Sequence, residues 1–222
     1  MLYLFYQQAG EPTLTLRGDE HRYLFKVRRH RAGETIALRN LKSDEIYFYT
    51  IASLDKKEAL LHLKSSKNLP IVAAKKLHIG WCIIDPKSIE KMLPTLNEIG
   101  VDAITFIYCE RSQKSFKPDF KRLEKILLNS SQQSGRSRLM QLSIAKDLSS
   151  FLNEYPNAVM LNFSKETLDE SSTIEHCLIG CEGGFTEDEV ALFSPSNIRG
   201  FKSPLILKSE SAVCAVASKL LL

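Results

Sequence analysis

From Lys75 onward, short apolar segments alternate with segments whose apolar residues recur at helical spacing. We predict strands at 77–84, 103–108, 142–145, 158–163 and 177–180. Helices are predicted over 89–99, ending at Gly100, and over 118–135 and 147–155. Pro94 lies inside the first helical pattern and is expected to kink or shorten that helix. This alternation is typical of an α/β fold with a largely parallel sheet.

Residues 1–70 have a different pattern, in which β-prone runs are separated by turn residues. The runs lie at 2–5, 13–16, 35–38, 46–51 and 60–63, and one helix is predicted to begin near Asp19. Five short strands and one helix indicate a small barrel or sandwich. Segment 64–70 is polar and ends in proline, which indicates a linker. We therefore predict two domains, 1–70 and 71–222.

The charge of the chain is concentrated in two windows. The 222 residues carry a net charge of +4, from 30 basic and 26 acidic side chains. Window 17–31 holds six basic and two acidic residues, and window 111–138 holds eight and two. Five of the six basic residues in the first window are arginines, which bind phosphate through a planar fork and stack on bases. This distribution favours an RNA partner, although two solvated helical faces would also account for it.

A glycine-rich turn follows the predicted strand that ends at Gly180, and a helix is predicted to begin at Thr186. Ligands of α/β sheets bind at such junctions. Thr186 and Glu189 can form a capping box, which would occupy the N–H groups that a phosphate requires. Three acidic residues would also repel a pyrophosphate: Glu182, Glu187 and Asp188. A neutral or cationic ligand such as S-adenosylmethionine therefore fits this turn better than a dinucleotide, unless the turn only reverses the chain.

The last segment predicts a short strand at 205–207 and a helix that Ser209 can cap. The inner face of that helix is predicted to consist of Val213, Val216, Ala217 and Leu220. The chain ends on three leucines, and this end is expected to be buried or to lie at a subunit interface.

Several classes of chemistry find no support. The chain has five cysteines, an odd number, and no CxxC pair occurs. A disulfide framework and a metal site are therefore not expected, and we expect the protein to be located in a reducing cytoplasm. His21 and His30 are expected to be surface residues or phosphate contacts. No GxSxG elbow occurs, and no apolar run is long enough to span a membrane. The start of the chain, 1–8, lacks the basic region of a secretory signal.

Six separated motifs resemble, in the same order, those of the RsmE family in the SPOUT superfamily. They are 26–34 (KVRRHRAGE), 98–101 (EIGV), 110–112 (ERS), 133–136 (QSGR), 179–185 (IGCEGGF) and 206–212 (ILKSESA). The family methylates N3 of a uridine in the 16S rRNA of the small ribosomal subunit. The resemblance implies an N-terminal, PUA-like β-barrel that binds RNA and a C-terminal SPOUT methyltransferase domain folded as a trefoil knot. It also implies a homodimer.

The resemblance implies roles for particular residues. S-adenosylmethionine would be surrounded by Leu161, Ile179, Gly180, Glu182, Gly183, Gly184, Gly200, Leu205, Ile206, Leu207, Ser211 and Ala212. RNA would be contacted by Arg17, Arg22, Lys26, Arg28, Arg29 and Arg136.

Three residues are candidates for the chemistry. Arg136 would hold the uracil oxygens as negative charge develops, and Glu182 or Glu210 would accept the N3 proton or orient such an arginine. The chain departs from the family pattern at four positions: Gln132 for glutamate, Cys181 for proline, Lys208 for arginine and Ser211 for threonine.

Three alternatives stay open at this point. The first is a SPOUT enzyme with another target, such as the ribose 2′-oxygen of a tRNA. The second is an RNA-binding assembly factor that has lost catalysis. The third and most distant is a Rossmann oxidoreductase, which lacks support because no GxGxxG follows a predicted strand.

Overall fold

The computed structural model describes residues 3–169 and 173–222, and these form two compact units. The first unit comprises the chain up to Val72 together with Ser131–Arg138. The second comprises Ala73–Ser130 and Leu139–Leu222.

The first unit is built on a mixed sheet of five strands. The strands are β1 (Leu4–Phe5), β2 (Thr13–Arg17), β3 (Thr35–Arg39), β4 (Glu45–Leu54) and β5 (Glu58–Asn68). Their order in the sheet is β1-β3-β4-β5-β2, with β1 parallel to β3 and the other pairs antiparallel. In β2, exposed and buried residues alternate, so that Leu14 and Leu16 enter the apolar core with Leu38 and Tyr49. All five predicted strands are confirmed, except that Leu2 lies outside the described residues.

Two predictions for this unit need correction. Within the described residues, β1 and β2 are the two edges of the sheet, so the sheet is open rather than a closed barrel. The predicted linker 64–70 is wrong for most of its length, because β5 continues to Asn68, which pairs with Glu45. The side chains of residues 64–68 are exposed on both faces of the strand and therefore carry no alternating pattern.

The predicted helix near Asp19 is confirmed. Helix α1 (Gly18–His21) leads directly into a π-helical segment, Arg22–Val27, whose Leu24 is fully buried. His21 is also buried, and its Nε2 lies 3.0 Å from the carbonyl oxygen of Asp55, so its prediction as a surface residue or phosphate contact is wrong.

Segment Ser131–Arg138 is bound to this sheet by side-chain hydrogen bonds. The Gln132 side-chain oxygen accepts from the Phe5 amide at 2.7 Å. The Tyr3 hydroxyl donates to the Arg136 carbonyl at 2.8 Å. The Asp44 carboxylate accepts from the Ser137 hydroxyl at 2.7 Å and pairs with the Arg138 guanidinium. These donors, the arginine first, lower the pKa of Asp44 to about 2.

The second unit is an α/β layer structure around a parallel sheet, as predicted. The sheet has six strands, of which the last, Ile198–Arg199, was not predicted. Its strands are β6 (His78–Cys82), β7 (Ala103–Ile107), β8 (Gln141–Ala145), β9 (Val159–Leu161), β10 (His176–Ile179) and β11 (Ile198–Arg199). Its helices are α2 (Pro86–Ile99), α3 (Phe120–Ser134), whose last turn belongs to the first unit, α4 (Leu148–Glu154), α5 (Glu187–Ala191) and α6 (Ser209–Leu221). The strand order is β11-β9-β10-β6-β7-β8. From β6 the chain continues to β7 on one side, and from β10 it continues to β11 on the other, so the topological switch point lies between β6 and β10.

Helix α2 shows how local signals and packing combine. The Asp85 side chain caps its start by accepting from the Ser88 amide at 3.0 Å, and Gly100 ends it at a φ of 113°. The helix continues through Pro94, so it is not shortened there. Pro94 removes one backbone hydrogen bond, but Leu93 and Leu96 on either side are fully buried and hold the helix on the sheet.

The C-terminal segment differs from prediction in two respects. Residues 205–207 are exposed and form no strand. Lys208 is the N-cap of α6, and Ser209 is its first residue rather than its cap. The predicted inner face of α6 is buried, whereas Leu222 is 88% exposed, so the chain end is not buried in the single chain.

The cysteines also correct an expectation. Cys82 and Cys109 form a disulfide with a Cα–Cα distance of 5.7 Å, while Cys177, Cys181 and Cys214 are free. The paired residues are 27 positions apart and become neighbours because β6 and β7 lie side by side in parallel register. Among the described residues, no cluster of metal-ligating side chains occurs and no helix is long and apolar enough to cross a membrane.

Two half-buried histidines meet at the starts of neighbouring strands in the second unit. His78 and His176 are register partners on β6 and β10, and their rings lie 5.5 Å apart beside Tyr155. The Nε2 atom of His78 is 2.8 Å from the Thr105 hydroxyl. Burial first, and the neighbouring His176 second, lower the pKa of His78 from 6.5 to about 4, while Glu154 opposes this shift.

We expect the unfolding free energy to fall as the pH falls from 6.5 to 4, because the unfolded chain binds a proton at residue 78 that the folded chain does not. The unfolding free energy is not reduced by His78 above pH 6.5, where residue 78 is neutral in both states. At pH 4 the reduction amounts to at most about 3 kcal/mol. Urea unfolding between pH 4 and 8 should show a smaller pH dependence for His78→Gln than for wild type. The control is His62→Gln at an exposed position of β5, and equal pH profiles for wild type and His78→Gln would contradict the prediction.

Candidate functional site

A cleft of about 430 Å³ opens at the carboxyl ends of β9, β10 and β11. The loops that follow these three strands and the first turn of α6 form its walls. Ligands of open α/β sheets bind at such edges, and cleft volumes of this size are usual for small-molecule sites.

Eleven of the twelve residues that we predicted to surround the cofactor line this cleft. They are Leu161, Ile179, Gly180, Glu182, Gly183, Gly184, Gly200, Leu205, Ile206, Leu207 and Ala212. Ser211 does not line the cleft, because α6 turns its side chain to the exposed side. The structure thus brings together residues that are up to 51 positions apart in the sequence.

Eight further residues line the cleft that the sequence analysis did not select. They are Asn162, Phe163, Ser164, Cys181, Phe185, Phe201, Ser203 and Ser209. The first three directly follow β9, which ends at Leu161, whereas the predicted strand continued to residue 163 and so included Asn162 and Phe163. Burial raises the pKa of the Cys181 thiol, which therefore remains a protonated, apolar wall group.

The glycine-rich loop has a defined conformation. Gly184 adopts a φ of +67°, which favours glycine, and its amide donates to the Cys181 carbonyl at 3.0 Å. The predicted capping box is confirmed: the Thr186 amide donates to Glu189 at 2.9 Å, and the Glu189 amide donates to the Thr186 hydroxyl. These amides are occupied, so the start of α5 offers them to no phosphate.

The segment after β7 holds the glycine loop from outside the cleft. The Arg111 guanidinium donates to the carbonyl oxygens of Gly183 at 2.8 Å and Phe185 at 3.1 Å. The Glu110 amide donates to the Glu189 side chain at 2.8 Å. Glu110 and Arg111 of the ERS motif thus hold the loop in position. No local pattern in the sequence could show this contact.

Ser209 fixes the other end of the loop. Its hydroxyl accepts a hydrogen bond from the indole N–H of Trp81 at 2.9 Å and donates to the carbonyl oxygen of Gly180. The buried tryptophan, the start of α6 and the end of β10 are joined in this way. The position that the sequence suggested as a helix cap is instead a support of the cleft.

Gly200 allows two loops to approach closely. A Cβ atom built on Gly200 would lie 2.8 Å from the Ser164 carbonyl oxygen and 3.2 Å from that of Asn162. The Gly200 amide donates to the Glu166 carbonyl at 2.8 Å, and the Leu168 amide donates to the Gly200 carbonyl at 2.8 Å. The three atoms nearest to such a Cβ, which include the Ser164 amide nitrogen at 3.0 Å, are all backbone, so the loop would have to move.

The three candidates for the chemistry are placed differently. Glu182 is exposed and lines the cleft. Glu210 lies in the first turn of α6, is half-buried and does not line the cleft. Arg136 belongs to the first unit and is only 5% exposed. Its burial gives no support to a surface contact with RNA in the single chain, and its catalytic role stays a prediction.

The other predicted RNA contacts lie on the outside of the first unit. Arg17 pairs with Glu58 at 2.6 Å, which offsets its charge. Arg22, Lys26, Arg28 and Arg29 are exposed, and none of them forms an ion pair within the described part of the chain. The Arg28 guanidinium lies over the Tyr23 ring and donates to its hydroxyl at 2.9 Å, so this arginine is held in place on the surface.

Comparison with models of known protein families gives two matches. An RNA methyltransferase domain model matches residues 72–221, and an RNA methyltransferase PUA domain model matches residues 16–64. The chain is therefore an RNA methyltransferase with a PUA domain.

Two relatives of known name indicate which family of RNA methyltransferases the chain belongs to. The chain is 39% and 40% identical to the ribosomal RNA small subunit methyltransferases E of two Helicobacter pylori strains, over 98% of each chain. It belongs to the RsmE family.

Solved structures show the same fold. The ribosomal RNA small subunit methyltransferase E of Neisseria gonorrhoeae, solved with S-adenosylmethionine, has a TM-score of 0.79 at 20% identity, over 98% of this chain and 95% of that one. A protein of Legionella pneumophila, solved with the same cofactor, has a TM-score of 0.80 at 22% identity, over the same shares.

We expect Gly200→Ala to lower the unfolding free energy by about 1–3 kcal/mol, because the new methyl group meets backbone atoms. Gly183→Ala is the matched control, since a Cβ there would meet only the flexible Arg111 side chain at 3.3 Å. Urea unfolding measures both variants. If both variants lost the same unfolding free energy, the close backbone approach at Gly200 would not be the reason that an alanine is unfavourable there.

Proposed function

We propose that this protein transfers a methyl group from S-adenosylmethionine to N3 of one uridine in the 16S rRNA of the small ribosomal subunit. The observation that carries the proposal is the cleft formed by the glycine loop, in a chain of the RsmE family. The names of its Helicobacter relatives specify small-subunit ribosomal RNA as the substrate, and the position of the uridine near the 3′ end follows from the family resemblance.

The residues of the cleft fit this cofactor. Its apolar side chains, among them Leu161, Ile179 and Leu207, suit an adenine ring, while the backbone of the glycine loop offers polar groups at close range. Two amides at the start of α5, those of Thr186 and Glu189, are already occupied by the capping box, which disfavours a phosphate-bearing ligand. The Glu182 carboxylate lies at the cleft and would attract the positive charge of a sulfonium. When bound, S-adenosylmethionine supplies an electrophilic methyl group.

The chain itself must supply a proton acceptor. Uracil N3–H is a weak acid, so its proton must leave as N3 attacks the methyl carbon and the bond from that carbon to sulfur breaks. Of the two candidate carboxylates, Glu182 is the one at the cleft, and we propose that it accepts this proton. N3 is engaged in base pairing within a duplex, so the target uridine must be unpaired or flipped out.

We assign the two units different tasks. Residues 1–70 would bind RNA through Arg22, Lys26, Arg28 and Arg29, whose contacts to phosphates fix the register of the RNA. Residues 71–222 would carry catalysis. The trefoil knot at the loops around the cleft and the homodimer are further parts of this proposal, and they rest on the family resemblance. A cytoplasmic location is also part of it and rests on the cysteine content of the sequence and on the lack of a basic region at 1–8.

The charge of Glu182 can be tested by comparing two ligands. Glu182→Gln should weaken binding of S-adenosylmethionine by about two- to fivefold, because the attraction between a partly exposed carboxylate and a cation is lost. Binding of S-adenosylhomocysteine, whose sulfur is neutral, should change little. Calorimetry measures both ligands, with Glu187→Gln outside the cleft as the control. Equal weakening of both ligands would contradict the electrostatic role.

The reaction is tested by methyl transfer from labelled cofactor to small subunits that lack the modification, followed by mass-spectrometric mapping. We expect one N3-methyluridine near the 3′ end of 16S rRNA. Label on a ribose would instead favour a different SPOUT target. Cofactor and RNA binding without transfer to any RNA would favour an assembly factor.

Arg28→Ala should weaken RNA binding and reduce the slope of log affinity against log salt by about 1, because one phosphate contact is lost. Affinity for the cofactor should not change, since Arg28 lies outside the cleft. Filter binding between 50 and 300 mM salt measures the slope, with exposed Lys67→Ala on β5 as the control. An unchanged slope would remove Arg28 from the RNA interface.

A further inference from the structure

We propose that Lys114, Lys117, Lys121 and Lys125 form a second contact surface for the RNA phosphodiester backbone, on the methyltransferase unit. We call these four residues the lysine surface. The inference rests on the proposed function and adds to it, because the RNA contacts derived above all lie outside this unit.

The structure separates the basic residues of window 111–138 into two groups. Four are engaged within the protein: Arg111 with loop carbonyls, Arg122 with Glu90 at 2.6 Å, Arg138 with Asp44, and Arg136 by burial. The four lysines are exposed, and none forms an ion pair within the described residues. Charges that are not used inside the chain are available to a polyanion.

The lysine surface is held in place by the fold beneath it. Between Lys114 and Lys117, the half-buried Phe116 packs on the core, and its carbonyl accepts from the Tyr108 hydroxyl. In α3, Leu123 and Leu127 are buried, which leaves Lys121 and Lys125 on the outer face. These two lysines are one helical turn apart, about 6 Å along the axis.

Nearby acidic residues offset only part of this positive charge. Asp119 accepts from the Arg122 amide at 3.1 Å at the start of α3, and it lies next to a guanidinium that Glu90 already neutralises. Glu124 is the one other acidic residue between 111 and 138. The four lysines therefore outnumber the acidic residues of their own segment, and the local field favours an anion.

The lysine surface begins next to the cleft. The aliphatic part of Arg111 lies 3.3 Å from the position that a Gly183 Cβ would occupy, and Gly183 lines the cleft. Lys114 follows Arg111 by three residues, so the Cα atoms of Arg111 and Lys114 are at most about 11 Å apart. A polyanion that follows the lysine surface toward Arg111 would arrive at the wall of the cleft.

The composition of the surface favours RNA over an anionic membrane. In residues 111–134, all of which the structure describes, no large hydrophobic side chain is exposed, so this face has nothing to insert into lipid. Lysine ammonium groups suit phosphate oxygens as point charges and read no base sequence. The surface should therefore contribute affinity and salt dependence, but not choice of the target nucleotide.

The test uses the double variant Lys121→Gln/Lys125→Gln in the full chain and measures filter binding to 16S rRNA between 50 and 300 mM salt. The slope of log affinity against log salt should fall by about 1.4–1.8, because each phosphate contact contributes about 0.7–0.9. RNA affinity should fall roughly tenfold at the salt concentration of the transfer assay, while affinity for S-adenosylmethionine and the thermal midpoint stay unchanged. Lys76→Gln/Lys146→Gln, which removes two exposed lysines of the same unit, is the matched control.

A second double variant, Lys114→Gln/Lys117→Gln, should reproduce the change in slope. Lys121→Arg/Lys125→Arg should retain the slope, because the charge is kept. An unchanged slope in both glutamine variants, or an equal change in the control, would overturn the proposal. Loss of binding to anionic phospholipid vesicles with unchanged RNA binding would overturn it in favour of a membrane contact. The slope requires no catalysis, so failure of methyl transfer with intact RNA binding would count against the proposed reaction and not against this surface.

Discussion

The hydrogen bonds that fix the glycine loop are the interactions on which the rest of the site depends. Three glycines in five residues would sample many conformations in a free peptide. Three side chains bind the loop at separate points. Arg111 donates to the carbonyl oxygens of Gly183 and Phe185, and Ser209 donates to that of Gly180. Glu189 accepts from the amide of Thr186 at the end of the loop and from the amide of Glu110 in the segment after β7. These hydrogen bonds lie within the chain and limit the conformations open to the loop, so that less ordering free energy opposes ligand binding.

The same interactions explain why the site requires the whole second unit. Arg111 follows β7, Glu189 lies in α5, and Ser209 begins α6 and contacts Trp81 of β6. The parallel sheet places the carboxyl ends of its strands at one edge, where these residues meet. A change in the packing of any of these elements is therefore expected to alter the shape of the cleft.

Positive charge on this protein has two separate uses. Arg17, Arg122 and Arg138 pair with carboxylates and hold neighbouring segments together. Arg22, Lys26 and the lysine surface have no such partners in the described residues and remain available to RNA. Composition and net charge could not separate these groups, because pairing depends on which side chains the fold places within reach. The structure therefore reduces fourteen basic residues in two windows to a smaller set of candidate RNA contacts.

The sequence by itself determined the parallel α/β unit, the five strands of the first unit and most of the cleft residues. Local physics was sufficient for the strands and helices, because periodicity marks which side of an element is buried, and a capping box or a left-handed glycine sets where a helix begins or ends. The cleft residues came from the family resemblance of the sequence and not from local physics. Only the tertiary structure decided which β5 residues pair, that the first sheet is open, that Cys82 meets Cys109, and that Ser209 supports Gly180 instead of capping a helix. These features depend on contacts between residues far apart in the chain, and the register that creates those contacts leaves no mark in the local sequence.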